Sequence, residues 1–238
     1  MTNLNFTTLG VAEPLLRALA TENYIEPTPI QAQAIPLILS GRDVLGLAQT
    51  GTGKTAAFGL PLLQKLAENR VAPAPHHARA LILAPTRELA IQIFDSLRAY
   101  GRHLGLKYAV ILGGVSQNRQ VDALRRGVDV LVATPGRLLD LVNQKHVRLG
   151  AVSHLVIDEA DRMFDMGFIR DVRKIVSHLP RQRQSLLFSA TMPTDVAHLV
   201  TEILKDPARI DISPKQVAVE RIDQRVYFVP QQDKRALL

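Results

Sequence analysis

The sequence has no cysteine, no tryptophan and only 5% aromatic residues. Each absence excludes something. Without cysteine there is no disulfide and no thiolate metal site, and a reducing compartment is compatible. With so few aromatics, a platform that stacks successive bases is disfavoured, so any bound nucleic acid would be held through its backbone. No stretch reaches the roughly eighteen apolar residues of a membrane span. The start, Met1-Thr2-Asn3-Leu4-Asn5, has neither the positive charge nor the apolar run of a signal peptide. These features predict a soluble cytoplasmic protein with no membrane partner.

What is present is a chain of 238 residues, 47% of them hydrophobic, long enough for one large core or two small ones. Lys and Arg number 29 against 22 Asp and Glu, a net charge of +7. Such an excess attracts polyanions and makes their binding salt-dependent. Charge alone does not separate a nucleic-acid binder from a protein that is merely basic.

Residues 14–20 read as a short amphipathic helix. Pro27 and Pro29 then fix a turn, with Thr28 as cap of a helix that begins at Pro29 and ends at Ser40-Gly41. From Asp43 onward, apolar runs at 44–47, 80–84, 109–112, 130–133, 154–157 and 185–188 alternate with helix-period segments. Those segments are 54–67, 87–100, 116–125, 137–142, 169–178 and 195–204. Near-continuous apolar strands separated by helices predict an α/β fold, a mostly parallel sheet covered by helices on both faces. Ligands of such sheets sit at the carboxyl ends of the strands. Pro61, close to Gly59, predicts a kink or break in the first long helix. His76-His77 lie in a Pro/Ala-rich loop with no third ligand nearby, and read as surface. Residues 209–212 suit a last strand and 213–220 a linker. Residues 225–229 read as a fresh β run, followed by a helix start at 233–238.

The run Ala48-Gln49-Thr50-Gly51-Thr52-Gly53-Lys54-Thr55 stands between an apolar strand and a helix, the arrangement of a phosphate-binding loop. The unpaired N–H groups and dipole of the helix start favour an anion. Gly51 and Gly53 let the backbone curl so that successive N–H groups point into one concavity. Lys54 supplies a point charge for the outer phosphates, and the Thr55 hydroxyl a Mg²⁺ ligand. Ala48 departs from the generic pattern, which opens with glycine. A second apolar strand ends at Asp158-Glu159, where Asp158 can hold the metal directly or through water, and Glu159 can orient or deprotonate a water. Alone, the same acids would simply complement a helix dipole.

Asp158-Glu159-Ala160-Asp161 resembles the signature of the DEAD-box RNA helicases. In that family the phosphate loop opens with alanine, which accounts for Ala48. Pro85-Thr86-Arg87-Glu88-Leu89-Ala90 resembles motif Ia, Gly113-Gly114 the GG element, Thr134-Pro135-Gly136-Arg137 motif Ib and Ser189-Ala190-Thr191 motif III. The run 162–168 most resembles the bacterial RhlE-type subgroup. The resemblance spans residues 6 to 191 in the family's order. It implies a RecA-like P-loop NTPase domain over 42–212, preceded by a helical segment with the Q motif (1–41) packed on it. Residues 213–238 would be a linker and the start of a second RecA-like domain.

Residue roles follow from the same resemblance. Gln31 matches the glutamine that reads adenine, Tyr24 the aromatic that stacks on it, and Phe6 an upstream aromatic of that region, with Thr28 in the same motif. Asn23 stands where the family usually has glycine. Ala48 to Thr55 would hold the phosphates of ATP with Mg²⁺ on Thr55 and Asp158, and Asp161 would belong to the same nucleotide site. Lys54, Asp158, Glu159, Ser189 and Thr191 would carry catalysis, Ser189 and Thr191 bonding to Asp158 or Asp161. Pro85, Thr86, Arg87, Gly114, Thr134, Pro135, Gly136 and Arg137 would contact an RNA backbone with little sequence specificity. The family's second domain carries a His-Arg-x-Gly-Arg-x-Gly-Arg run whose arginines complete the ATP site. No such run occurs in this sequence, so the chain is expected to bind nucleotide and hydrolyse it very slowly alone. Two other readings stay open: a DNA translocase of the same architecture, and a non-catalytic RNA clamp.

Overall fold

A computed structural model describes residues 4–212 and 227–234. Among these residues, seven strands form one sheet: β1 (Val44–Leu47), β2 (Ala78–Leu83), β3 (Tyr108–Ile111), β4 (Val128–Ala133), β5 (His154–Ile157), β6 (Gln184–Ser189) and β7 (Ala208–Asp211). Their order is β3-β4-β2-β5-β6-β1-β7. Every pairing is parallel, so the sheet is wholly rather than mostly parallel. The helices are α1 (Glu13–Thr21), α2 (Pro29–Leu39), α3 (Lys54–Glu68), α4 (Arg87–Tyr100), α5 (Gln117–Leu124), α6 (Pro135–Asn143), α7 (Ala160–Asp165), α8 (Ile169–Ser177) and α9 (Thr194–Ile203).

The two-residue period of a strand sends neighbouring side chains to opposite faces. Both faces of the central strands are buried. Val44, Ile82, Val132, Val156 and Phe188 face one apolar cluster, which α2, α3 and α4 cover. Leu45, Leu81, Leu131, Leu155 and Leu187 face the other, under α6, α8 and α9. That is why the strands read as unbroken apolar runs rather than alternating ones. Leu15 and Leu19 of α1 and Ile30, Ile35 and Ile38 of α2 belong to the first cluster, so the N-terminal helices pack directly on the sheet's own core. Gly46 interrupts β1 for a packing reason: a Cβ there would stand 2.5 Å from the Phe188 ring.

Three expectations change. Helix α3 runs through Pro61 without a break; the proline costs one hydrogen bond, and burial of the helix on both sides of it, from Ala56 to Leu63, holds it together. Tyr227, Phe228 and Val229 are in no strand. Tyr227 and Phe228 are exposed, Phe228 almost fully, and a 3₁₀ turn follows at Gln231–Asp233. Residues 213–226 and 235–238, which carry the linker, the first two residues of the predicted β run and most of the predicted helix, lie outside the described residues. Finally, α7 forms where only the acidic motif and its flanking run were read.

Candidate functional site

The sheet order sorts the motifs into two groups. Strands β5, β6 and β1 are neighbours, and their carboxyl ends carry Asp158-Glu159, Ser189–Thr191 and the loop 48–55. Strands β3, β4 and β2 are also neighbours. Their ends carry Gly113-Gly114, Thr134–Arg137 and Pro85–Arg87. Both groups therefore open on the same edge of one sheet.

In the first group the loop 48–55 is closed on itself. Gly51 and Gly53 sit at φ 84° and 93°, a region that side chains strain to reach. A Cβ on Gly53 would also lie 2.5 Å from Gln31 Nε2 and 3.0 Å from Thr28 Oγ1. Lys54 is buried and its Nζ donates to the Ala48 carbonyl at 3.0 Å. Thr52 Oγ1 donates to the Gln49 carbonyl at 2.8 Å. Gln49, Thr50 and Gly51 are exposed, while Thr55 is half-buried at the first turn of α3.

Asp158 is 2% exposed and accepts the Glu159 N–H at 3.0 Å. Burial pushes its carboxyl up to about 6, although the Lys54 charge pulls the other way. Glu159 stands in the left-handed region, φ 51° and ψ 55°, a costly conformation for a non-glycine residue. Its carboxylate accepts from Thr50 Oγ1 at 3.1 Å and from Arg162 Nη1 at 3.2 Å. The loop 48–55 is thus tied by a side chain to the acidic pair. Arg162 was read only as part of a subgroup run; its spacing of three from Glu159 on a helix start is the signal that finds it.

Ser189 and Thr191 engage Asp161, not Asp158. Thr191 donates to Asp161 Oδ2 from both its N–H and its hydroxyl at 2.9 Å. Ser189 Oγ accepts the Asp161 N–H at 3.2 Å and donates to the Thr191 carbonyl at 2.7 Å. Burial works against the Asp161 charge, but the Thr191 and Arg162 hydrogen bonds hold its carboxyl below the usual range. The Ala48 N–H donates to the Ser189 carbonyl at 3.0 Å. The ends of β1, β5 and β6 are therefore bonded into one unit.

Gln31 is 1% exposed. Its Oε1 accepts the Thr28 N–H at 2.9 Å and its Nε2 donates to the Gly53 carbonyl at 3.1 Å. Thr28 takes the cap position of α2, yet its Oγ1 is buried with no partner, so the cap rests on Gln31 instead. Phe6 is buried in the core cluster with Leu9 and Val11. Tyr24 is 36% exposed and follows a Schellman turn. The Tyr24 and Asn23 N–H groups close onto the Leu19 and Ala20 carbonyls, and Asn23 takes φ 58°. That left-handed position suits glycine and tolerates asparagine, which explains the residue at 23.

The second group lines a cavity of about 410 Å³ formed by Pro85, Thr86, Arg87, Gly113, Thr134, Gly136, Arg137, Glu88, Met166 and Phe168. Thr86 caps α4, accepting the Leu89 N–H at 3.3 Å. Gly114 takes φ 72°, and a Cβ there would lie 2.5 Å from Arg87 Nη1. Arg137 Nη1 donates to the Val115 carbonyl at 3.1 Å. Pro135 is buried at the first turn of α6. Met166 and Phe168 were not anticipated as part of this cavity, because nothing in their spacing separates a wall residue from a core one.

A profile of the DEAD/DEAH box helicase family matches residues 28–199. The chain is 43% identical over 231 residues to the DEAD-box ATP-dependent RNA helicase CshA of Streptococcus pneumoniae, covering 97% of this chain and 43% of that protein. It is 44% identical to the ATP-dependent RNA helicase RhlB of Xanthomonas campestris, covering 100% of this chain and 42% of that protein. The chain thus spans less than half the length of these relatives. Among solved structures, a DEAD box protein from Methanococcus jannaschii matches with a TM-score of 0.81 and 38% identity over 87% of this chain and 56% of that one.

Proposed function

The chain belongs to the DEAD/DEAH box helicase family, and on that premise we propose that it is the nucleotide-binding half of an ATP-dependent RNA helicase. Residues 42–212 form its first RecA-like domain, 1–41 its Q-motif segment, and 213–238 lead to a second such domain. The observation that carries this reading is the division of one sheet edge. A phosphate loop bonded to an acidic pair occupies one half, and an arginine-flanked cavity occupies the other.

The first half suits ATP. Curled backbone N–H groups, Lys54 and the start of α3 receive phosphates. The Thr55 hydroxyl and the Asp158 carboxylate are hard oxygen donors, a partial set that fits a Mg²⁺ also held by phosphates. That ion would neutralise charge on the transferring phosphoryl group. Glu159 orients water once it leaves Thr50. The Gln31 amide has two N–H groups and two lone-pair directions. Thr28 and Gly53 use one of each, and the remaining pair complements adenine N6 and N7. Because Gln31 and Lys54 are covered, nucleotide entry requires the loop 48–55 to open. The second half suits an RNA backbone, with Arg87 and Arg137 supplying charge and the N-termini of α4 and α6 supplying N–H groups. Hydrolysis stays slow without the arginines of the second domain. No helix among the described residues is long and apolar enough to cross a membrane, which is compatible with a cytoplasmic site of action.

Gln31→Ala tests the base reading: ATP binding should weaken more than GTP binding, and an equal loss for both would mean that the base is not read there. Competition between matched single-stranded RNA and DNA separates a helicase acting on RNA from a DNA translocase.

A further inference from the structure

Resting on Tyr24 as the adenine platform, we infer that Tyr100 is the positioning residue that aims it. The backbone of Tyr24 is fixed by the Schellman turn, but an exposed ring on such a turn still rotates about its side-chain bonds. Tyr100 removes that freedom in two ways. The two hydroxyls lie 2.9 Å apart in a hydrogen bond. The rings meet edge to face, with centroids 5.8 Å apart at 75°. Tyr24 is thereby held on one side while 36% of the residue stays exposed.

Tyr100 can serve as a mount because it is packed into the core cluster. It is 4% exposed, in the last turn of α4. There α4 packs closely against α3, the helix that leaves the phosphate loop: a Cβ on Gly59 would lie 2.6 Å from Leu97 and 3.7 Å from Tyr100. Burial, and then the bond to Tyr24, push the Tyr100 phenol well above its ordinary range, so it remains a neutral partner at any working pH. A second tie stands beside it, an ion pair between Glu22 at the end of α1 and Arg102 just beyond α4. Helix α4 starts at Arg87 in the other half of the edge. Its 14 residues make a rod of roughly 21 Å with the platform's mount at one end and the cavity wall at the other.

A ring held in its binding orientation before the ligand arrives spares the ordering cost of association. Loss of the hydroxyl bond should therefore weaken base-dependent binding and nothing else. The test uses the full-length protein with two probes, ATP and inorganic tripolyphosphate, which has no base. Tyr100→Phe and Tyr24→Phe should each raise the Kd for ATP about threefold to tenfold, the range of one hydrogen bond. Both should leave tripolyphosphate within about twofold, and the double variant should be no worse than either single one. A hydroxyl pair that merely supports the fold would not change the ratio of the two probes. Tyr24→Phe alters only a partly exposed side chain and keeps the test available if Tyr100→Phe fails to fold. An equal loss for both probes, or unchanged ATP binding in both phenylalanine variants while Tyr24→Ala weakens ATP, would overturn the role of Tyr100. Unchanged ATP binding in Tyr24→Ala would instead remove Tyr24 as the platform, and this inference with it.

Discussion

Replacing Asp158 by asparagine should stabilise the nucleotide-free protein at neutral pH while removing its response to Mg²⁺ and nucleotide. The side chain is 2% exposed, and its carboxyl titrates near 6 instead of 3.8. Burial raises it, and the attraction of Lys54 recovers only part of the cost. A rise of about two units corresponds to ~3 kcal/mol at 1.36 kcal/mol per unit. The direction in pH follows from linkage. Below pH 3.8 the carboxyl is protonated in folded and unfolded chains alike, and it costs nothing. Between 3.8 and about 6 the folded chain keeps a proton that the unfolded chain has released, so stability falls as pH rises. Above 6 the full penalty is present. Asparagine is neutral throughout, and its Oδ1 can still accept the Glu159 N–H. The stability gain of Asp158→Asn, measured by urea unfolding, should be about 3 kcal/mol at pH 7.5 and close to zero at pH 4. A gain that does not vary with pH, or a loss at pH 7.5, would refute the argument that burial of this charge strains the site.

At the opposite edge of the sheet, Arg79 and Asp129 form a buried pair at 2.9 Å, and Asp129 also accepts the Lys107 N–H at 2.8 Å. Asp129→Ala leaves Arg79 buried without its counter-charge, which should cost about 3–5 kcal/mol in unfolding experiments without changing nucleotide Kd below the melting transition. In the cavity lined by Arg87 and Arg137, Arg87→Ala should weaken single-stranded RNA binding, lower its salt dependence by about one phosphate contact and leave ATP binding unchanged in filter-binding assays. Met166→Ala, on an exposed side chain of the same cavity, removes no charge and should leave the salt dependence as it is.

The fold was legible wherever burial on both sheet faces produced unbroken apolar runs. All six core strands lie within two residues of their predicted ends, and 87–100 is a helix as read. The separate helix α7 was hidden because six residues, two of them in the acidic motif, leave no room for periodicity to show. The continuity of α3 through Pro61 was not legible either. A proline's cost is local, whereas the burial that outweighs it comes from helices and strands distant in sequence. In the site, chemistry named Lys54 and Asp158 from residue type and strand context, whereas Gln31 came only from the family resemblance. The partners were the hidden part: Thr50 on Glu159, Thr191 on Asp161 and Tyr100 on Tyr24 are bonds across 109, 30 and 76 residues. They depend on which strand ends and helix ends lie side by side, and the order β3-β4-β2-β5-β6-β1-β7 is not written in any single segment.

The division of one sheet edge into a nucleotide half and an RNA half is most directly tested by amide hydrogen exchange on the full-length protein. Mg²⁺ with ATP should protect 48–55 and 158–161, and single-stranded RNA should protect 85–89, 113–115 and 134–138. Protection by RNA confined to the opposite sheet edge, around Arg70 and Lys107, or unchanged exchange at 48–55 in saturating nucleotide, would contradict the account.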